Sequence, residues 1–256
     1  MDMENNKGHE CLECKNLSFS YEESHPVLKN LTFHVHQHET VGLIGANGVG
    51  KSTLLRILVG LETNYQGEVT IKGLPVIKKN LADVRAKIGY VFQDSDNQMF
   101  MSTVYEDVAF APKNYGLSPA EVKERSEHAL DMIGISHLRD KKTYRMSGGE
   151  KKMAAIATIL AMEPDIMLMD EPTIALDPKN RRNLIRVLNS LDRGKLIASH
   201  DLDMVLETCS RVLLLSHGEI VEYGPAEEIL RNKELLEANG LELPYCLAGY
   251  RGRQLT

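Results

Sequence analysis

Short apolar runs recur along this chain, separated by longer segments of helical character. Four of the runs are almost wholly apolar, which is typical of strands buried on both faces of a parallel sheet. Three further segments alternate apolar and polar residues, which favours strands with one polar face. We therefore predict an α/β fold that joins a parallel sheet to a partly antiparallel one. The buried strands are predicted at 41–44, 88–92, 166–169 and 196–199, and the alternating strands at 13–21, 31–38 and 67–73.

Helix signals replace the strand pattern between residues 94 and 146. Ser118 and Glu121 have the spacing of a capping box, and Pro119 stands at the first helical position. Gly134 is placed to end the same helix. We expect a helical lobe here, inserted between strands of the α/β core.

A glycine-rich loop that matches G-x-x-x-x-G-K-[ST] follows the first buried strand. Its glycines let successive backbone N–H groups face one anion, and a helix that begins near Lys51 adds the positive end of its dipole. Lys51 supplies a charge for the β- and γ-phosphates, and the Ser52 hydroxyl is placed to ligate Mg²⁺. The alternative is an ordinary glycine-rich turn between a strand and a helix. The loop consists of Gly45, Ala46, Asn47, Gly48, Val49, Gly50, Lys51, Ser52 and Thr53.

A second pair of glycines opens the helix before the third buried strand. Ser147 and Glu150 form a capping box around Gly148 and Gly149, and an apolar run follows at 153–162. One interpretation is a well-capped buried helix. The other is a second phosphate site, because bare glycine N–H groups and a helix dipole face outward there.

Polar residues follow the last two buried strands. Asp170 and Glu171 end the third, at the edge of a parallel sheet where ligands bind. We expect Asp170 to hold Mg²⁺ through water or the Ser52 shell, and Glu171 to polarise an attacking water. His200 follows the fourth buried strand, and taken alone it is more typical of a structural histidine.

The order of these motifs, together with Gln93 after the second buried strand, resembles the ATP-binding subunits of ABC transporters from about residue 17 to 230. The resemblance implies an ABC-type P-loop ATPase fold with a RecA-like parallel core, an antiparallel β-subdomain and an inserted helical subdomain. It implies a core at 1–93 and 147–232, a helical subdomain at 94–146 and a C-terminal tail at 233–256. ATP and Mg²⁺ are the implied cofactors.

The resemblance also assigns roles around the nucleotide. Tyr21 is similar to the aromatic residue that stacks on adenine. Gln93 is similar to the residue that links the γ-phosphate and its metal to a transmembrane partner. His200 is similar to a switch histidine on the γ-phosphate, which places it with Glu171 and Lys51 among the catalytic candidates.

Proteins of this family act as head-to-tail dimers with two ATP molecules in the interface. Ser147, Gly148 and Gly149 resemble the signature that closes on the nucleotide of the opposite subunit, and Asp177 resembles the residue that couples the two sites. Glu150 stands where the family pattern has glutamine, and we expect it to keep the cap. Whether the second ATPase is identical or a paralogue stays open.

Within the family, the segment after Gln93 resembles energy-coupling factor proteins, which power uptake of vitamins and of cobalt or nickel. The resemblance implies that Asp94, Asp96, Met99 and Phe100 contact a transmembrane coupling subunit, although an ordinary polar surface turn is the alternative. The stretch at 234–244 resembles the tail of metal-uptake members. The implied function is an ATPase subunit of a micronutrient uptake transporter.

Composition agrees with that function. The formal net charge is −6, with 43% hydrophobic residues, no Trp and five Phe, which argues against a nucleic-acid partner. No apolar run approaches the ~18 residues that a membrane helix needs, and residues 1–10 show no signal-peptide core. We therefore expect a peripheral subunit on the cytoplasmic face of the cell membrane.

Two other functions are weighed against this one. A soluble ABC-type ATPase acting on DNA or ribosomes would typically carry long heptad insertions or two cassettes, and this chain has neither. A P-loop small-molecule kinase would leave the S-G-G-E motif and His200 unexplained.

Two clusters have no assigned role. Cys11 and Cys14 form a single C-x-x-C without a second pair, and Cys14 also fits a strand pattern. His34, His36 and His38 alternate, so we expect all three on one strand face. A solvated face is favoured over a metal site there, because no carboxylate partner set is evident from the sequence.

Overall fold

The computed structural model describes residues 10–22 and 25–248. The predicted polar N-terminal segment, apart from residue 10, and the end of the predicted tail, 249–256, lie outside these residues. The strands are β1 (Glu10–Glu22), β2 (His25–His36), β3 (Thr40–Ile44), β4 (Gln66–Ile71), β5 (Leu74–Pro75), β6 (Ile88–Val91), β7 (Ile166–Asp170), β8 (Gly194–Ala198), β9 (Arg211–Ser216) and β10 (Glu219–Pro225). The α-helices are α1 (Lys51–Leu58), α2 (Leu81–Lys87), α3 (Val104–Asn114), α4 (Pro119–Met132), α5 (Gly148–Leu160), α6 (Pro178–Ser190), α7 (Leu202–Thr208), α8 (Ala226–Arg231) and α9 (Lys233–Ala238).

The strands form two sheets. One has four strands in the order β2-β1-β4-β5, and its pairings are antiparallel. The other has six strands in the order β10-β9-β3-β8-β7-β6. All its pairs are parallel except the β9–β10 hairpin at the edge. The predicted α/β class is therefore confirmed, and each predicted strand overlaps an observed one, with ends that differ by at most six residues.

Two apolar cores lie on opposite faces of the six-stranded sheet. One core packs helices α3 to α8 against strand residues such as Met167, Met169 and Ile197. The other packs α1 and the antiparallel sheet against Leu168, Leu196 and their neighbours. Successive residues of one strand thus enter different cores, which explains why these strands are apolar throughout rather than alternating.

The segment between β6 and α5 is helical, as its sequence predicts. Thr103 caps α3 and Ser118 caps α4, each with a complete capping box. Gly134 follows α4 with a φ of 76°, the left-handed conformation that ends many helices. Among the helices of the described residues, none combines the length and apolar character required to cross a membrane.

The three alternating histidines do not share one face. His34 and His36 lie on β2, but the strand ends at His36. His38 lies in the turn that follows, with a φ of 69°, and its Nδ1 is 2.6 Å from Asp192 Oδ1. The prediction of a common face was wrong for His38, because the chain must turn there to enter β3.

Candidate functional site

The carboxyl ends of the parallel strands bring the predicted site residues to one edge of the sheet. β3 leads into the glycine-rich loop, β6 into Gln93, β7 into Glu171 and β8 into His200. Parallel strands end at the same edge, so segments far apart in sequence meet there. A cavity of about 610 Å³ lies at this edge. Its lining includes Tyr21, Asn47, Gly48, Gly50, Lys51, Ser52, Thr53, Gln93, Asp170, Glu171, Ile174 and His200.

The loop between β3 and α1 forms a cradle of backbone groups. Gly48 has a φ of 79°, and a Cβ added there would meet no atom within 4 Å, so the backbone is open toward the cavity. Gly50 precedes α1 with a φ of 111°, and a Cβ there would lie 2.7 Å from Leu28 Cδ2. Both positions therefore require glycine. No side chain caps α1, which leaves its N-terminal N–H groups for an anion.

Lys51 is buried beneath this loop. Its Nζ donates to the backbone oxygens of Gly45 at 2.6 Å and Ala46 at 3.0 Å, and lies 3.3 Å from His200 Nε2. Burial lowers the pKa of Lys51, while the Glu171 and Asp170 carboxylates act in the opposite direction. An anion in the loop would offset the cost of burying this ammonium group.

Asp170 lies at the end of β7 beside the start of α1. Burial raises the pKa of its carboxyl group, and a hydrogen bond from Ser52 and the charge of Lys51 lower it. A hydroxyl and a carboxylate side by side are oxygen ligands of the kind that Mg²⁺ prefers. The residues present therefore fit a Mg²⁺ ion at this point of the cavity.

Glu171 adopts a left-handed backbone conformation with a φ of 49°, which is uncommon outside glycine and is concentrated at functional sites. Its Oε2 accepts from the His200 backbone N–H at 3.2 Å and from Ser199 Oγ at 3.4 Å. Its Oε1 is buried and has no hydrogen-bond partner among the described residues. Burial raises the pKa of this carboxyl group, so it is a poised proton acceptor with one oxygen unused.

His200 faces both of these charged residues. Its Nε2 lies 3.4 Å from Glu171 Oε1 as well as near Lys51 Nζ. Burial lowers the pKa of the imidazole, and the Lys51 charge acts in the same direction. A neutral ring can donate one hydrogen bond and accept another.

Tyr21 lies at the outer rim of the cavity. Its side chain is 55% exposed, its hydroxyl is 3.4 Å from Thr53 Oγ1, and its ring packs edge-on against Phe19. An exposed aromatic face held at the mouth of a phosphate site is suited to stacking on a planar base.

The signature residues line a different cleft. Ser147 caps α5 with a complete capping box, and Glu150 also binds Lys141 Nζ at 2.7 Å, so the expected cap is confirmed. This cleft is lined on one side by the signature and on the other by Asp177, and neither Lys51 nor Ser52 lines it. The signature residues are Ser147, Gly148 and Gly149. A Cβ on Gly149 would lie 2.8 Å from Ala175 O, so glycine is also needed for the close approach of this loop.

Sequence reasoning assigned no role to two buried charged residues, Lys152 and Asp107, that hold the backbone on either side of the segment after Gln93. Lys152 of α5 donates from Nζ to the backbone oxygens of Phe92 at 3.0 Å and Gln93 at 2.6 Å. Asp107 of α3 accepts from the backbone N–H groups of Phe100 and Met101. In the sequence, each of these residues is marked only by its charge beside apolar residues that are buried in the same helix.

The segment after Gln93 is ordered by its own side chains and by α5. Asp94 accepts from the Asp96 backbone N–H at 3.0 Å, and Asp96 pairs with Lys151 of α5 at 2.5 Å. Phe100 is 64% exposed, whereas Met99 is half-buried against the apolar core. Of the two apolar candidates, only Phe100 presents most of its side chain to an external partner.

The chain matches known proteins along most of its length. A family model described as ABC transporter matches residues 28–174. A Geobacter sulfurreducens protein assigned to the ABC transporter ATP-binding proteins is 46% identical over 94% of this chain and 97% of its own length. The energy-coupling factor transporter ATP-binding protein EcfA of Carboxydothermus hydrogenoformans is 42% identical over 91% of this chain and 87% of its own length.

Solved structures give the same result. CbiO1 of Clostridium perfringens, described as part of the ABC transporter complex CbiONQ, matches with a TM-score of 0.80 and 34% identity, over 94% of this chain and 98% of CbiO1. The ATP-binding cassette MJ0796, dimeric and bound to ADP and phosphate, matches with a TM-score of 0.77 and 28% identity, over 84% of this chain and 98% of that one. This chain therefore belongs to the ATP-binding proteins of ABC transporters, of the energy-coupling factor type, and is a Mg²⁺-dependent ATPase coupled to transport.

Proposed function

We propose that this chain is one ATPase subunit of a micronutrient uptake transporter, for cobalt or nickel ions or a vitamin, and that it lies on the cytoplasmic face of the membrane. The energy-coupling factor relatives and the likeness to CbiO1 support the transporter class. The observation that carries the mechanism is the separation of two half-sites. Lys51 and the phosphate loop line one cavity, whereas Ser147, Gly149 and Asp177 line another. Of the signature residues, only Gly148 also borders a cavity that Ser52 lines.

We assign the phosphate loop, Lys51 and Ser52 to the triphosphate and its metal. The loop amides and Lys51 counter the phosphate charge, and Tyr21 stacks on the base. Ser52, Asp170 and Gln93 would hold Mg²⁺, which, when bound, neutralises charge on the β- and γ-phosphate oxygens.

We assign Glu171 to the water that attacks the γ-phosphate. Its unused Oε1 accepts a proton or hydrogen bond from that water, while Ser199 and the His200 backbone hold Oε2 in place. His200 donates from its ring to the γ-phosphate. Because its Nε2 lies 3.3 Å from Lys51 Nζ, both groups can contact the same phosphate.

Because Ser147, Gly149 and Asp177 lie outside the phosphate cavity, a complete site needs a second ATPase subunit. In a head-to-tail dimer, the signature of each subunit covers the nucleotide held by the other. ATP binding then closes the dimer, and hydrolysis lets it reopen.

The variant Glu171→Gln separates closure from hydrolysis. We expect it to bind ATP, to lose turnover by about 10²–10⁴-fold, and to elute as an ATP-dependent dimer in size-exclusion chromatography. A second variant, Glu171→Gln with Ser147→Arg, should bind ATP and remain monomeric, because the bulky charge blocks the signature. Full turnover in Glu171→Gln would remove the catalytic role from this residue. Dimerisation of the double variant would remove Ser147 from the interface.

The segment from Asp94 to Phe100 is our proposed contact with the transmembrane subunit. Two acidic residues and an exposed aromatic ring fit a basic, amphipathic helix. The segment starts at Gln93, beside the nucleotide, and touches α5 through Asp96 and Lys151. Movement of the partner would therefore displace Gln93 in the phosphate cavity and, through Lys151, the helix α5 that carries the signature.

The charge reversal Asp96→Arg tests this contact. We expect it to abolish co-purification with the transmembrane subunit from detergent-solubilised membranes and to leave ATP binding by the isolated subunit intact. Glu222→Arg, a reversal at an exposed position on β10, is the matched control.

A charge swap separates docking from the internal ion pair. Asp96→Arg with Lys151→Glu restores the attraction between these two positions, so a docking role predicts that the swap still fails to co-purify. Recovery of co-purification in the swap would show that Asp96 acts only through Lys151.

A further inference from the structure

Two histidines and a glutamate meet on the antiparallel sheet, and none of them lines the phosphate cavity or the signature cleft. His34 and His36 are two residues apart on β2, so their side chains share a face, and their ring centroids are 4.6 Å apart. Glu10 of β1 pairs in register with His36. One ligand atom from each of the three residues lies within 4.8 Å of the other two.

We propose that Glu10, His34 and His36 form a binding site for a transition-metal dication such as Ni²⁺, Co²⁺ or Zn²⁺. Two imidazole nitrogens and one carboxylate oxygen are a ligand set that these ions accept, and three protein ligands leave a position for water. Mg²⁺ prefers oxygen ligands alone, so this site does not compete for the ion used with ATP.

The strongest sign of a missing partner is His36. Its Nδ1 is buried and makes no hydrogen bond to any described residue. Buried polar atoms nearly always have a partner, and an unpaired one costs free energy. A metal ion bound at this nitrogen would satisfy it.

The charges around the cluster also favour a cation. Glu13 pairs in register with His34 but forms an ion pair with Lys15. The remaining charged neighbours are Glu10, Glu39 and Arg211, and Glu39 accepts from the His36 backbone N–H at 2.9 Å and lies 3.5 Å from Arg211 Nη1. Two carboxylates and one guanidinium leave one net negative charge when both imidazoles are neutral.

Arg211 is the group that a metal ion would displace. Its Nη1 lies 3.3 Å from His34 Nε2, which occupies that nitrogen in the structure. Arg211 also forms an ion pair with the Glu39 carboxylate and stacks on the Tyr223 ring, whose centroid lies 3.8 Å from Arg211 Cζ. Release of one histidine nitrogen therefore leaves the guanidinium well bound.

The test is Ni²⁺ binding by the full chain, purified with a tag that contains no histidine, in competition with a chromophoric chelator. We expect one high-affinity equivalent per chain. His36→Gln and Glu10→Gln should each weaken binding at least about tenfold. His38→Gln is the matched control and should bind as wild type does, because His38 lies in the adjacent turn and pairs with Asp192. ATP turnover confirms that each variant is folded, since none of these residues lies in the phosphate cavity.

Two results would overturn the site: absence of a high-affinity equivalent in the wild-type chain, or unchanged affinity in His36→Gln. X-ray absorption on the Ni²⁺-loaded wild type gives an answer that does not depend on variants. Two imidazole ligands and no sulfur are expected. A spectrum dominated by sulfur would assign the metal to cysteine instead.

Discussion

At the scale of single residues, burial determines the chemistry of the phosphate site. Lys51, Asp170 and Glu171 are each less than a tenth exposed, and burial is the leading cause of the pKa shift in all three. Opposite charges within the cluster limit those shifts but do not cancel them. The site therefore places a buried lysine where a polyanion can neutralise it and two buried acids where a dication can neutralise them.

Lys51→Ala tests this balance. We expect a large loss of ATP affinity and of turnover, because the variant removes the main side-chain counter-charge for the triphosphate and leaves the Gly45 and Ala46 oxygens unpaired. Nucleotide binding is measured with a fluorescent ATP analogue, and Lys123→Ala on the exposed face of α4 is the control. Wild-type affinity and turnover in Lys51→Ala would refute the assignment of the phosphate loop.

At the scale of elements, α5 connects the signature to Gln93, which lies two residues beyond the end of β6. Lys152 lies in the first turns of α5, is only 1% exposed, and binds two backbone oxygens just beyond the end of β6. Its neighbour Lys151 binds Asp96 of the proposed docking segment. One helix therefore contacts the backbone at Gln93, the proposed docking segment and the signature cleft.

Lys152→Met is expected to destabilise the protein by about 1–3 kcal/mol, since the carbonyl groups of Phe92 and Gln93 lose their charged donor and methionine keeps most of the volume. Turnover should fall as well, because Gln93 is no longer held. Urea denaturation and phosphate release measure the two effects. Lys151→Met is the matched control on the same helix and should change stability little, since its partner Asp96 is mostly exposed. Equal stability of the two variants would contradict the structural role of Lys152.

At the scale of the whole molecule, the proposed site consists of two halves that lie in different parts of one subunit. β3, β6, β7 and β8 carry the phosphate half, and the N-terminus of α5 with the Asp177 loop carries the other half. The apolar cores on both faces of the six-stranded sheet pack against these elements. In the proposed arrangement, a second copy or a paralogue supplies the missing half.

Mixing two inactive variants tests this arrangement. Lys51→Ala keeps an intact signature, and Ser147→Arg keeps an intact phosphate loop. If identical subunits assemble head to tail, an equal mixture should regain about a quarter of wild-type turnover, since half of the dimers would be mixed and each would contain one complete site. Phosphate release by the mixture is compared with that of each variant alone. No recovery, in a mixture shown to exchange subunits, would contradict a site shared between identical subunits.

The sequence by itself determined most of the strands, the starts of α1, α4 and α5, and the position of the glycine-rich loop between β3 and α1. These features are local: an apolar run is buried whatever its neighbours are, a capping box acts over three residues, and the loop glycines act through their own backbone. Gly45 to Thr53, Ser118 and Ser147 could therefore be interpreted before any contact was known. The domain limits at 94–146 and 233–256 and the individual site roles stay predictions.

Only the tertiary structure decided which residues meet. Lys51 and His200 are far apart in the chain, and their 3.3 Å approach depends on β3 and β8 being neighbours in a parallel sheet. Lys152 was missed because its partners are backbone oxygens, which no side-chain pattern reveals. The sequence predicted that His34, His36 and His38 share a face, because the alternation does not show that β2 ends at His36. It also predicted no carboxylate there, because the alternation does not show that β1 pairs with β2 and brings Glu10 beside His36. Periodicity gives the face of a strand, and only the register of its neighbour gives the partner across from it.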